Sequence, residues 1–286
     1  MEFTRLEEVR AGWSGDRKYH AWDDGGQEFF LRLSPPEKWE KAQSAFALQE
    51  KAFQLRLPVS EPIELAQEDG QVRFVERWLS GQMAEDALPT LPQEEQYRLG
   101  WEAGEILRAL HTIPAPAEAE DWESRFNRKI ERKIQLYREC SFQYENGEAF
   151  IRYMEENRGL LRGRPQCMQH GDYHTGNMML CGGKLFVIDF DRPDAGDPWE
   201  EFNRIVWSAQ LAPAFARGTV DGYFDGAPPL AFWKLLALYI ASNTLGSLSW
   251  AVPFGEEQMD IMREQAAQVL DWYDGMENPV PRWYRA

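Results

Sequence analysis

The run His170-Gly171-Asp172-Tyr173-His174-Thr175-Gly176-Asn177 concentrates more chemistry than any other part of the chain. It fits H-x-D-x-x-x-x-N, the spacing with which a single loop supplies two roles in phosphoryl transfer. The carboxylate of Asp172 can accept a hydrogen bond from an attacking hydroxyl and orient it. The amide oxygen of Asn177 is a hard ligand suited to Mg2+. A second carboxylate follows in Val187-Ile188-Asp189-Phe190-Asp191, where an apolar strand pattern ends, and Asp189 is the expected second metal ligand. Phosphoryl transfer asks little covalent chemistry of a protein; positioning and charge neutralisation carry it, and these three side chains offer both. Taken singly, an Asp or Asn is explained by turn or cap chemistry. The two spacings together point to a phosphotransfer site.

The surrounding sequence must build elements that hold these groups. Residues 17–22 and 28–33 are β-favouring runs that flank Asp23-Asp24-Gly25-Gly26 and predict a hairpin. Residues 37–55 predict a helix closed by Pro58 and Pro62, and residues 71–78 another strand. From about residue 81 the pattern turns helical, over residues 93–111, 122–138, 145–161, 230–249 and 256–274. Between these, residues 184–190 follow Gly182-Gly183 and predict one strand of a hairpin that begins near Met178. The fold class expected is α+β. Residues 1–80 would form a small antiparallel sheet plus helix that binds nucleotide, and residues 81–286 a larger, mainly helical catalytic and substrate-binding part.

Length and composition agree with two lobes: 286 residues, 43% of them hydrophobic, with 12 Trp and 16 Phe to build cores. The net charge of -16 repels phosphate backbones and anionic headgroups, so neither nucleic acid nor a membrane is an expected partner; it attracts cationic ligands, although keeping the protein soluble is reason enough for it. The opening residues lack an apolar run behind a basic start, and the apolar residues 235–240 are too few to span a bilayer; cytoplasm is the expected location. Cys140, Cys167 and Cys181 lack CxxC spacing and read as buried free thiols. No G-x-x-x-x-G-K-[ST] occurs, and Gly12-Trp13-Ser14-Gly15-Asp16 ends in the wrong residue for a nucleophile elbow. His170 and His174 lie four apart without the glutamate of H-E-x-x-H. P-loop, hydrolase and zinc readings therefore fall.

The loop, the Val-Ile-Asp-Phe-Asp run and Gly196-Asp197-Pro198 together resemble the aminoglycoside phosphotransferase and choline kinase-like superfamily. The likeness extends to Gly104-Glu-Ile-Leu-Arg-Ala-Leu-His111 and to Leu57-Pro-Val-Ser-Glu-Pro62. It implies a bilobal protein kinase-like fold, Mg2+, ATP or GTP as phosphoryl donor, and a small hydroxylated acceptor. It also implies that Asp197 braces the catalytic loop through backbone hydrogen bonds and that Glu201 is structural. The family's phosphate loop corresponds to Gly12-Trp13-Ser14-Gly15-Asp16-Arg17-Lys18, which would bring Ser14, Gly15 and Lys18 to the phosphates; a plain hairpin turn explains the glycines equally well. Where the family has a lysine in its third strand this chain has Arg32, whose planar fork grips phosphate with different geometry. The glutamate that pairs with that lysine has no counterpart in register: the fitting positions are Ala45 and Ala47, with Glu40 and Glu50 as off-register substitutes. Trp78 and Leu79 lie in a segment that resembles the interlobe linker facing the nucleobase, although Trp78 also suits a core. Asp221, Asp225, Glu256, Glu257 and Asp260 are candidate recruiters of a cationic acceptor. Two alternatives stay open: a nucleotide-binding pseudokinase, motivated by Arg32 and the missing glutamate, or a kinase for choline, homoserine or a sugar-like metabolite.

Overall fold

The structure is a computed structural model that describes residues 1–10 and 15–285. Its first sheet has five antiparallel strands in the order β1-β2-β3-β5-β4. They are β1 (Arg5–Glu8), β2 (Arg17–Trp22), β3 (Glu28–Ser34), β4 (Pro62–Glu68) and β5 (Gln71–Arg77). The β2–β3 hairpin forms where the sequence predicts it, and Asp23 closes its turn by accepting the Gln27 N–H on its carboxylate at 2.8 Å. Side chains alternate across the pleat. Ala21, Phe29, Leu31 and Val75 bury one face, joined by Phe3, Tyr19, Leu33 and Ile63. The opposite face carries Lys18 in register with Arg32, Arg32 with Phe74, and Phe30 with Glu76.

Helix α1 (Trp39–Gln54) packs over that second face. Its buried side holds Ala42, Ala45, Leu48, Gln49 and Ala52, and Phe46 meets Phe74 edge to face at 5.5 Å. Strands β1 and β4 are absent from the sequence reading. Pro62, which the sequence offers as a helix stop, opens β4 at a register shift, where a residue without an N–H is tolerated.

The chain folds into two compact units. Residues 1–90, 106–113 and 168–194 make one, and residues 91–105, 114–167 and 195–286 the other. Whereas the sequence pattern changes character at about residue 81, the segment with the catalytic-loop motif packs within the sheet-bearing unit. Three contacts bring it there. Strand β6 (Gln82–Met83), which leads into the short helix α2 (Ala84–Ala87), pairs with β8 (Met178–Cys181), and β8 pairs with β9 (Lys184–Val187). The Val187 N–H donates to the Pro58 carbonyl at 2.9 Å, and Val59 bridges Val187 in parallel. Gly182 and Gly183, at φ 59° and 79°, make the tight β8–β9 turn, whose handedness suits glycine at both positions. Strand β9 stops at Val187 rather than residue 190 because Asp189 takes a left-handed conformation.

The other unit is helical: most of α3 (Gln93–Leu110), then α4 (Trp122–Glu139), α5 (Glu148–Asn157), α6 (Ile205–Leu211), α7 (Pro213–Phe224), α8 (Leu230–Ala251) and α9 (Glu256–Trp272). Helices α6 and α7 are absent from the sequence reading. Pro213 begins α7, where its missing N–H is harmless. Glycines bring α7 backbone to backbone with α3. A Cβ on Gly100 or Gly104 would lie 2.1 Å from the Phe215 carbonyl oxygen or 2.2 Å from that of Thr219. One on Gly218 or Gly222 would lie 2.2 Å from the Tyr97 or Trp101 oxygen. Helix α8 with the turn after it, Leu230–Phe254, is long and apolar enough to cross a membrane by composition alone. Nevertheless 67% of its most apolar window is buried in this unit, where α4, α5 and α9 pack on it. Cys167 is buried and Cys140 and Cys181 are half-buried, all three as free thiols.

The α3–α7 contact makes a direct prediction. Gly104→Ala should lower stability by about 1–3 kcal/mol in a urea titration, because backbone rather than a flexible side chain must move. Gly159→Ala, whose Cβ meets nothing within 4 Å, should change it by less than about 0.5 kcal/mol.

Candidate active site

His170 organises the catalytic-loop segment. Its ring is fully buried; Nδ1 accepts the Asp172 N–H at 3.3 Å and Nε2 lies 3.0 Å from the Ile188 carbonyl oxygen. A neutral ring protonated on Nε2 satisfies both contacts. Gly171 sits at φ 84°, and a Cβ there would be 1.8 Å from the Arg192 carbonyl oxygen, so the loop and the chain after β9 touch through backbone. The Asn177 amide donates from Nδ2 to the Asp172 carbonyl at 2.9 Å, which leaves Oδ1 as the amide's acceptor atom. The Ile188 N–H donates to the Asn177 carbonyl at 3.0 Å. Asp189 follows at once, its φ of 63° turning it out of the β9 ladder. An L-residue held there costs about 1–2 kcal/mol, least for Asp or Asn, and such strain often marks a functional position. Asp172, Asn177 and Asp189 thus belong to one hydrogen-bonded segment.

Two cations face the Asp172 carboxylate: His174 at 3.7 Å, if protonated, and Arg192 at 3.4 Å. Sequence reasoning assigned neither a role.

On the sheet, Lys18 and Arg32 are cross-strand neighbours on the face that α1 covers in part. Arg32 is 9% exposed, holds its guanidinium 4.8 Å over the Phe74 ring, and forms an ion pair with Asp191. That pairing was also missed, although Asp191 belongs to the run already singled out. Trp78 stacks on His20 at 3.7 Å with 8° between the rings, and the Trp22 ring lies 3.8 Å from His20, tilted by 33°. Leu79 follows it, half-buried; Gly15 is exposed at φ 66°. Ser14 lies outside the described residues.

Glu40 and Glu50, considered as partners for Arg32, are both exposed. The buried polar residue of α1 is Gln49, whose Nε2 donates to the Ser60 carbonyl at 3.0 Å and to the Glu76 carboxylate. Burial raises the Glu76 carboxyl to about 7; the Gln49 hydrogen bond and the Arg32 charge oppose the rise, and Asp189 and Asp191 add to it.

In the helical unit, Asp221 is no surface recruiter of cations. It is buried and accepts the hydroxyls of Tyr97 at 2.9 Å and Tyr284 at 2.6 Å. Asp225 ends α7 at φ 52°, while Glu256, Glu257 and Asp260 are exposed on the first turns of α9. Asp197 is fully buried against Arg164, with bonds of 2.6 and 2.9 Å, and accepts from the Tyr239 hydroxyl at 2.6 Å and the Trp199 N–H at 2.9 Å. Glu201 is buried as well.

Asn177 and Asp189 supply the oxygen donors that Mg2+ prefers. No group of three or more His, Cys, Asp or Glu among the described residues could hold a metal. The donor set therefore suits an ion that takes its remaining ligands from phosphate and water, as Mg2+ commonly does.

The sequence pattern of the phosphotransferase enzyme family, APH, matches residues 5–233. The chain belongs to this family. The family and enzyme class implied by the motifs are borne out: the protein is a phosphotransferase. No curated protein matches it. Among solved structures it is similar to aminoglycoside phosphotransferase APH(4)-Ia, with 16% identity, a TM-score of 0.69 and 94% of each chain covered. The gentamicin complex of APH(2")-IIa matches at 17% identity and TM-score 0.65, covering 93% of this chain and 92% of the other. A choline/ethanolamine kinase family protein from Mesorhizobium loti matches at 17% identity and TM-score 0.70, covering 97% and 92%. At these identities the likeness shows the fold, which is the kinase-like α+β class expected.

Two predictions follow from this geometry. Gly171→Ala should drive the loop off residue 192 and reduce turnover of the phosphotransferase by roughly 100-fold, since small displacements of a positioned group have effects of that size. Folded Glu76 keeps its proton to about pH 7, whereas the ordinary value is 4.5, so the folded state holds more protons between these limits and stability falls as pH rises through them. Glu76→Gln should therefore melt above the wild type at pH 8, and the gap should close by pH 5 in thermal scans.

Proposed function

We propose that this phosphotransferase moves the γ-phosphoryl group of ATP or GTP to a hydroxyl of a small, cationic molecule. The observation that carries the reading is the hydrogen-bonded chain from His170 through Asp172 and Asn177 to Ile188, which ends at Asp189. In it Asp172 accepts the hydrogen bond of the attacking hydroxyl, orients it toward the phosphorus and takes its proton as the new O–P bond forms and the bond to the β,γ-bridging oxygen breaks, releasing the nucleoside diphosphate. Arg192 and His174 hold the direction of that carboxylate. Asn177 and Asp189 would hold Mg2+, which when bound neutralises charge on the phosphate oxygens. Lys18, Arg32 and the turn at Ser14 and Gly15 would meet the donor's phosphates, and Trp78 and Leu79 its base.

The acceptor reading rests on charge and on neighbours in fold space. Solved relatives hold hygromycin B, gentamicin or streptomycin, and another belongs to the choline/ethanolamine kinase family. Such acceptors combine a hydroxyl with a cationic amine, and a net charge of -16 concentrates them at the surface. An aminoglycoside or an amino alcohol fits better than a neutral sugar.

The test is a γ-phosphate transfer screen with ATP and GTP over aminoglycosides, choline, ethanolamine, homoserine and simple sugars. We expect Mg2+-dependent transfer to at least one cationic acceptor. Asp172→Asn should lose about 100- to 10,000-fold in turnover, the usual worth of a positioned base, with its melting temperature preserved. Full activity in that variant, or nucleotide binding without transfer or hydrolysis under any condition, would overturn the proposal.

A further inference from the structure

Helix α1 presents Gln49, an uncharged amide 3% exposed, and Gln49 reaches the carboxylate of Glu76 on β5. Glu76 is in register with Phe30, and Arg32 with Phe74, so all four lie on one face of the sheet, with Glu76 diagonal to Arg32. Arg32 therefore pairs with Asp191 from the chain after β9 and feels the charge of Glu76 on the neighbouring strand, with its guanidinium over the Phe74 ring. Packing alone does not account for a carboxylate at residue 76. A glutamine of the same shape would avoid the desolvation that raises the Glu76 carboxyl to about 7.

We propose, resting on the phosphotransferase site described above, that Glu76 is a positioning residue which takes the place of the missing helix glutamate. Held by Gln49, it orients the Arg32 fork toward the donor's phosphates. The change of cation and the change of anion are one adaptation. A lysine presents one compact ammonium and can be reached from the helix. An arginine carries five donors in a plane, enough to keep a carboxylate on one edge and a phosphate on the other.

The experiment reads nucleotide binding directly, by calorimetric titration of MgATP and MgGTP, and so needs no acceptor. Glu76→Gln should weaken the nucleotide that the wild type binds by about tenfold, the order of one charge-assisted contact, and raise its KM more than it lowers kcat. Its melting temperature should not fall. The exchanged pair Gln49→Glu with Glu76→Gln should recover affinity to within about threefold, because the charge is returned to the helix. Arg32→Lys and Glu76→Gln combined in a double-mutant cycle give a check without any helix substitution: losses smaller than additive support the proposal. Affinity of Glu76→Gln within about twofold of wild type, or strictly additive losses in the cycle, would overturn it while leaving the catalytic reading intact. A wild type that binds neither nucleotide would overturn both.

Discussion

His170 commits both ring nitrogens to main chain, one to the N–H of Asp172 and one to the carbonyl of Ile188, and so joins the start of the loop to the strand that follows it. Asn177 repeats the join from the other side, through its side chain to Asp172 and its carbonyl to Ile188. Asp172, Asn177 and Asp189, separated by up to 17 positions, are in this way held by backbone geometry rather than by one another's charge. A site built on such bonds does not need its ligand to assemble it, which is the condition under which positioned groups contribute most to phosphoryl transfer.

Charge is treated differently on the sheet. Lys18, Arg32, Glu76 and Asp191 bring several unit charges into a part-buried region, where an uncompensated ion is expensive. The pairs that form, Arg32 with Asp191 and Gln49 with Glu76, keep that expense down.

The helical unit answers to packing. Gly100 and Gly104 on α3 meet Gly218 and Gly222 on α7 at backbone contact, and α8 is enclosed by three helices. Among its buried polar groups, Asp197 is bound in two places by Arg164 and capped by Tyr239, itself an acceptor for the Trp122 indole at 3.0 Å. Burial, and then the charge of Asp197, push the Tyr239 hydroxyl well above its ordinary range, so it stays a donor. Such a network is stable while complete and costly to interrupt.

The catalytic loop, the acidic residue after β9, the first hairpin and the long helices could be read from sequence because each depends on neighbours close along the chain: a spacing, a turn pair or a helical period. Strand β4 could not, since Pro62 carries no strand signal and pairs only because β5 supplies an edge. Helix α7 could not either, because its glycines are breakers until another backbone needs the space they leave. The same division runs through the site. Asp172, Asn177 and Asp189 announce themselves by type and interval, whereas Arg192 beside Asp172, Asp191 on Arg32, and Glu76 behind Gln49 are partners chosen by the fold. Local chemistry is written in the order of residues; which charge answers which depends on how strands and helices meet, and that is decided only when the chain is packed.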